Sequence, residues 1–307
     1  MKKLIMVCVA VIIVLILASC KAPEGGLQAA FLCGAVDSDI FNSNTAVLLT
    51  DYKKYIDDSV EKTASIRVND QIFELTYDNT VEQGAARHSY KTKDGKISCY
   101  YFDTNKKLAQ ITIKDDRMNL LSVLSTEEEF LSWIESFLKQ FGVDNLSDYE
   151  YSCETGIVVS GDDFTYMETI SGFHLANENR ENSSEEVMLY SFYYCKELGG
   201  IRTSDGLTIF IFDGMIIVKF DEKRFADMDA PIQDAKAYDK IVEEFLKNSI
   251  SEKYTLVSYE VGTPRLTYIE EKLCFEYAVD AELKNNALGG TIATVFSVAV
   301  DVNAISK

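Results

Sequence analysis

The side chains of this 307-residue chain that could do chemistry are few and widely spaced. His88 and His174 are its two imidazoles. A nucleophilic serine needs a histidine base and an orienting acid, and no G-x-S-x-G turn is present. His88 falls in a polar stretch before Tyr90, and His174 follows Ser171-Gly172-Phe173. Both settings fit exposed or hydrogen-bonded residues rather than catalytic bases. No H-E-x-x-H, phosphate loop or dinucleotide fingerprint opens a helix after a strand. The acid pairs Asp37/Asp39, Asp162/Asp163 and Asp227/Asp229 have the chemistry for calcium or for a carboxylate couple. With 49 acids in the chain, chance supplies such pairs, and none has the spacing or glycine of a calcium loop. Cys33, Cys99, Cys153, Cys195 and Cys274 include no C-x-x-C, so zinc is poorly supported. No metal and no cofactor are expected. Four of these cysteines sit in aromatic, strand-like runs, which reads as small core thiols, with one disulfide as the alternative.

Cys20 is different in kind. Leu17-Ala18-Ser19-Cys20 closes a run of fourteen apolar residues, 4–17, that follows Met1-Lys2-Lys3. Basic start, apolar core and small residues before a cut are the three parts of a secretory signal. The four residues resemble the lipobox of bacterial lipoprotein precursors, over residues 1–21. That resemblance implies cleavage between Ser19 and Cys20, a diacylglyceryl group on the Cys20 sulfur, and Cys20 as the new N-terminus. It also implies a lipid-anchored, extracytoplasmic location at the cell membrane or outer membrane. Fourteen apolar residues are short of the ~20 that cross a bilayer. Two acyl chains hold firmly where one holds only marginally, at about 0.8 kcal/mol per buried methylene. Lys21 is not the aspartate that resembles an inner-membrane retention signal.

Two lysines and no acid leave with residues 1–19, so the 30 basic and 49 acidic residues become 28 and 49, a formal charge of −21. Such a surface repels phosphate backbones and anionic headgroups, and nucleic acid is excluded as an expected partner. Three prolines and a 47% apolar content argue for a folded body.

Positioning elements can be read along the chain. Residues 20–45, with Gly25-Gly26 among small and polar residues, read as a tether. Residues 65–114 alternate through Ile66, Val68, Leu75, Tyr77, Tyr90, Cys99, Tyr101, Ile111 and Ile113, with an Asp94-Gly95 turn, as an antiparallel meander. A helix then starts at a capping box, Ser125 with Glu128, and carries Phe130, Ile134, Phe137, Leu138 and Phe141 on one face, with Trp133 beside that stripe as core. A second helix is expected after Asp229-Ala230-Pro231, with Ala235, Tyr238, Ile241, Val242, Phe245 and Leu246. At an offset of 108 the two helices match: Ile134-Glu135-Ser136-Phe137-Leu138-Lys139 against Val242-Glu243-Glu244-Phe245-Leu246-Lys247, with Tyr151 and Thr155 against Tyr259 and Thr263. Strands are expected near 149–155, 187–197, 207–212 and 215–220, the last two joined by Asp213-Gly214, and near 255–261, 273–281 and 291–302. Residues 177–186 read as a hairpin tip.

The expected fold class is α+β: tandem modules, each an antiparallel meander sheet covered by one helix. The expected divisions are a signal peptide at 1–19, a tether at 20–45, a β-rich module at 46–120, and helix-plus-sheet modules at 121–228 and 229–307. Helix followed by antiparallel strands, ending in Phe296-Ser297-Val298-Ala299-Val300-Asp301, loosely resembles PepSY-type propeptide domains and cystatin-like modules over residues 125–307. Val302 stands where that pattern has a hairpin glycine, which leaves the last hairpin open to question. The resemblance implies binding or inhibition of proteins outside the membrane and carries no functional residue over. Tyr149, Tyr151, Tyr166, Tyr190, Tyr193 and Tyr194 suit peptide or glycan contact, or a strand core.

These readings converge on a non-catalytic, membrane-anchored lipoprotein that binds a protein or peptide partner, held to the membrane through the lipid on Cys20. The alternatives are an envelope hydrolase using paired carboxylates and a structural envelope spacer.

Overall fold

The computed structural model describes residues 30–33, 39–43, 45, 47–48, 53–83, 85–115, 120–161, 165–175, 183–220, 225, 228, 238–269 and 272–305. The expected signal peptide, Ser19 and Cys20, Pro231 and Ala235, and the pairs Asp162/Asp163 and Asp227/Asp229 lie outside the described residues. The chain divides into a large unit, Asp51–Ile232, and a small unit built from Met1–Thr50 and Gln233–Lys307.

Strands in chain order are β1 (Ala30–Cys33), β2 (Val47–Leu48), β3 (Lys53–Tyr55), β4 (Thr63–Val68), β5 (Gln71–Gln83), β6 (Ala85–Lys91), β7 (Ile97–Phe102) and β8 (Leu108–Lys114). A one-turn helix, Leu120–Val123, and helix α1 (Glu127–Lys139) precede β9 (Glu150–Gly161), β10 (Thr165–Ser171), β11 (Ser183–Leu198), β12 (Ile201–Phe212) and β13 (Met215–Lys219). Helix α2 (Asp239–Ser249) is followed by β14 (Tyr254–Val261), β15 (Arg265–Ile269), β16 (Lys272–Asn285) and β17 (Thr291–Asp301).

In the large unit β3 and β4 line one edge of β5, and the sheet continues through β6, β7, β8, β13, β12, β11 and β9 to β10, all antiparallel. Its backbone logic is local for most pairs. Asn69 and Asp70, both at positive φ, make the two-residue turn between β4 and β5, a conformation these short polar side chains tolerate. Gly95 and Gly214, also at positive φ, serve the Asp94-Gly95 and Asp213-Gly214 turns. Gly206 sits where a Cβ would meet the Tyr194 carbonyl oxygen at 2.3 Å, beside the irregularity between Cys195 and Glu197.

One apolar row crosses this sheet in register: Tyr77, Tyr90, Cys99, Ile111, Val218, Ile209, Phe192 and Cys153. Helix α1 lies on that face with Phe130, Ile134, Phe137 and Leu138 buried. Phe130 meets the rings of Tyr190 at 4.8 Å, Phe173 at 5.7 Å and Phe192 at 5.9 Å. Trp133 stacks on Phe137 at 4.9 Å and packs against the same core, as expected of it. The helix begins one residue later than the sequence suggests. Thr126, with extended backbone, is the N-cap, and Glu129 completes the box while also accepting from Ser125. Ser125-x-x-Glu128 and Thr126-x-x-Glu129 satisfy the same pattern, and only the backbone angles choose. At the other end Gln140 exchanges two hydrogen bonds with Asn69, tying the helix to the β4–β5 turn.

The small unit has β14 and β15 end to end along one edge of β16, then β17, β1 and β2 on the other side. The β1–β2 pair is parallel, so this sheet is mixed. Helix α2 buries Val242 and Leu246, and Tyr238 at its N-cap sets its ring at a tilt to Phe275, 4.8 Å between centroids, and donates to the Val302 carbonyl at 2.6 Å. The helices bury matching positions at the offset of 108: Phe130 with Tyr238, Ile134 with Val242, Leu138 with Leu246. The C-terminal carbonyls of α2 are satisfied from far away in sequence: Asn42 donates to Asn248, Ser249 and Ile250, and the Thr45 hydroxyl to Ser249.

The α+β expectation is corrected. Of the described residues 59% are strand and 14% helical, so they are mostly β, and two helices among them are longer than a single turn. Two physical causes account for the difference. Pairing of β8 with β13 makes one sheet of segments expected to be separate modules, so one helix serves all the strands of the large unit. Strands also occupy stretches read as linkers. Ala30–Cys33, inside the expected tether, is buried at every residue and pairs with Ser297–Val300 of β17. Ser183–Glu186, inside the expected hairpin tip, belongs to β11. After Asp301 the chain turns through a 3-10 helix, Val302–Ile305, rather than a hairpin, and β1 takes the place beside β17 that β13 takes beside β12.

Leu32, fully buried in β1, distinguishes a strand from a tether. Leu32→Ala is expected to lower the unfolding free energy by about 2–5 kcal/mol in urea titration, whereas a tether residue would change it by less than about 0.5 kcal/mol.

Candidate functional site

Each histidine is held by hydrogen bonds inside the large unit. His88, on β6, is 4% exposed; its Nδ1 is 3.0 Å from the Thr80 hydroxyl and its Nε2 2.9 Å from Asp103 Oδ1. The Tyr77 hydroxyl is 2.7 Å from Thr80 and accepts from the Asp57 amide at 2.9 Å. With a neutral ring donating from Nε2 to Asp103, one direction satisfies every link: Tyr77 donates to Thr80, and Thr80 donates to His88 Nδ1. Hydroxyl, imidazole and carboxylate are thus in line, but Thr80 is wholly buried, so a substrate has no approach to its oxygen. Lys106 holds Asp103 from the solvent side, and the Lys106 and His88 hydrogen bonds keep the Asp103 carboxyl below the usual range. His174 lies 3.3 Å from the buried Glu185, takes the Tyr190 hydroxyl on its carbonyl, and donates its amide to Thr155. Both histidines serve packing.

The five described cysteines after residue 20 are free thiols. Burial pushes Cys33, Cys99 and Cys274 up to about 12 and Cys153 to about 11, with the Glu276 charge adding to the effect at Cys33. None of these four is a poised nucleophile. Among the described residues no three His, Cys, Asp or Glu side chains group to hold a metal ion, and no helix is long and apolar enough to cross a membrane. Asp39 lies 3.5 Å from Lys253, and its candidate partner Asp37 lies outside the described residues. Of the tyrosines, Tyr190 and Tyr194 are core and Tyr149 packs on it; Tyr151 donates to Glu127 at 2.5 Å and Tyr193 to Glu154 at 2.9 Å. The Tyr166 side chain lies outside what is described.

One surface open to a partner is on the small unit, at β14. This strand pairs with β16 alone among the described residues, and Thr255, Val257, Ser258, Tyr259 and Glu260 are all exposed. The Gly262 amide donates to the Ala278 carbonyl, which fixes the ladder: residues 258 and 260 bond toward β16, while Tyr259 and Val261 turn their amide and carbonyl to the free edge. A one-residue irregularity between Leu256 and Ser258 leaves Val257 outside the register and 55% exposed. Beside the edge, on the face away from α2, lies a shallow groove. Two cross-strand rows form it, Ser258–Glu282–Ala293 and Glu260–Asp280–Val295. Val295 is 66% exposed. Ser258 donates to Glu282, while Glu260 and Asp280 stand directly opposite one another, with no ion pair to either among the described residues. These two acids are neighbours on an open surface and do not face each other across a cleft, as opposed glycosidase carboxylates do.

Sequence reasoning placed β14 but did not identify its edge as open, because pairing partners are set by the rest of the fold. The one local signal was Ser258-Tyr259-Glu260, polar on alternate residues at a strand without a second neighbour. No protein-family model, no curated protein and no solved structure matches this chain.

The buried thiols set an alkaline limit. Their folded pKa values lie above the roughly 8.5 of a free thiol, so the stability they contribute is complete below about pH 8.5 and is lost as pH rises toward 12. The urea midpoint is expected to fall above that pH. At pH 7.5 iodoacetamide is expected to label Cys195, the half-buried thiol, before Cys33, Cys99, Cys153 or Cys274, as read by peptide mass mapping.

Proposed function

We propose that this protein is a non-catalytic, extracytoplasmic lipoprotein, fastened to a membrane through a diacylglyceryl group on Cys20, that binds a protein or peptide as an added strand on β14. The observation carrying the binding half is the free edge at Tyr259 and Val261, flanked by the exposed Val257. An unpaired strand edge offers main-chain donors and acceptors at fixed spacing, which is the recognition mode of strand addition. Native proteins blunt such edges with bulges and charge, and β14 has one irregularity and Glu260. The stretch from Ser258 to Val261 keeps regular register. The anchoring half is supported by Leu17-Ala18-Ser19-Cys20 after an apolar run too short to span a bilayer.

The two halves are tested separately. Expressed in a bacterium, the protein is expected to incorporate labelled palmitate, and Cys20→Ser to abolish it; label retained on the variant, or absent from the wild type, overturns the anchor. For the edge, a photocrosslinker at Val257 is expected to give one discrete adduct in the envelope. Tyr259→Pro removes an outward amide that β16 does not use, and is expected to suppress that adduct while leaving the thermal midpoint within a few degrees. An undiminished adduct would show that β14 is not the docking strand.

A further inference from the structure

Resting on the strand-addition reading, we infer that the segment received by β14 is one that alternates basic with apolar side chains, the basic ones lying over the acidic groove and the apolar ones extending the helix-covered face. The two faces of β14 differ in what they lack. A strand added beside β14 extends the cross-strand rows by one residue each, with successive side chains on opposite faces. On the groove face the rows it extends begin with Ser258–Glu282 and Glu260–Asp280. Glu260 and Asp280 oppose each other without a cation among the described residues, an arrangement that costs energy in the free protein and is relieved by a lysine or arginine in the next position. On the other face the rows begin with Tyr259–Ala281 and Val261–Val279. Ala281 and Val279 are buried there, while Tyr259 is 36% exposed, so the apolar layer stops at β14 with an unfinished border. The cation Lys284 lies on the groove face one row beyond Glu282, opposite Thr255, which confines the acidic stretch to the two rows. An acidic segment would meet Glu260, Asp280 and Glu282 together, and the overall charge of the chain opposes it as well.

The experiment titrates the folded chain lacking residues 1–19, with Cys20 replaced by Ser, with three capped octapeptides: Lys and Val alternating, Ser and Val alternating, and Glu and Val alternating. The lysine peptide is expected to bind at least about tenfold more tightly than the serine peptide, with affinity falling about tenfold between 20 mM and 500 mM salt. The glutamate peptide is expected not to bind. In Glu260→Lys/Asp280→Lys, both exposed substitutions, the preference is expected to invert toward the glutamate peptide, which a merely unfolded variant would not do. Equal binding of the serine and lysine peptides overturns the charge assignment while leaving the edge reading intact. No binding of any peptide overturns this inference, and the Val257 adduct then decides the broader reading by itself. Binding that survives Tyr259→Pro with the preference unchanged places the site away from β14 and overturns both.

Discussion

Every strand residue carries a backbone donor and acceptor that must find partners on other strands or in water. A sheet is therefore defined as much by how its edges end as by what its strands contain. That constraint organises this molecule. In the small unit the far side of β17 would expose a row of amides beside Val298 and Val300, which are buried. The chain closes it with Ala30–Cys33, drawn from more than 260 residues upstream. In the large unit β8 and β13 close each other's edges across a separation of about 100 residues. At β14 no second strand closes the ladder among the described residues, and this is the edge on which the proposed partner would add.

The same accounting explains the helices. Each covers one sheet face through a stripe three and four residues apart, and the stripes coincide in burial at an offset of 108. What differs is how their ends are secured. Helix α1 is capped at its N-terminus by its own Thr126 and Glu129, and its C-terminal neighbour Gln140 grips Asn69. Helix α2 has no side-chain cap at its N-terminus, and its C-terminal carbonyls are served by Asn42 and Thr45. Residues 39–43 and Thr45 thus work with β1 in building the small unit, which is why stretches with a tether's composition can be structural.

The polar interior is put to structural use. The line from Asp57 through Tyr77, Thr80 and His88 to Asp103 has the residue types of a catalytic relay, yet its hydroxyl is sealed within the sheet. A satisfied chain of this kind fixes the pairing of β5 with β6 and positions the loop at Asp103, because breaking any link leaves a buried donor or acceptor unpaired. Residue type alone would not separate this from chemistry; access does.

By itself the sequence determined the local terms. Periodicity marked both helices and their buried faces, alternation marked β4 to β8, and Asp94-Gly95 and Asp213-Gly214 marked turns, since these depend on neighbours a few residues apart. Val302 in place of a hairpin glycine put the last hairpin in question, though not the end of the strand at Asp301. Tertiary structure alone decided that β8 meets β13, that Ala30–Cys33 is a strand, that His88 is enclosed, and that β14 keeps a free edge. Those outcomes depend on which distant backbone groups satisfy one another, and four apolar residues such as Ala30-Phe31-Leu32-Cys33 do not encode their partner until β17 offers an unpaired edge.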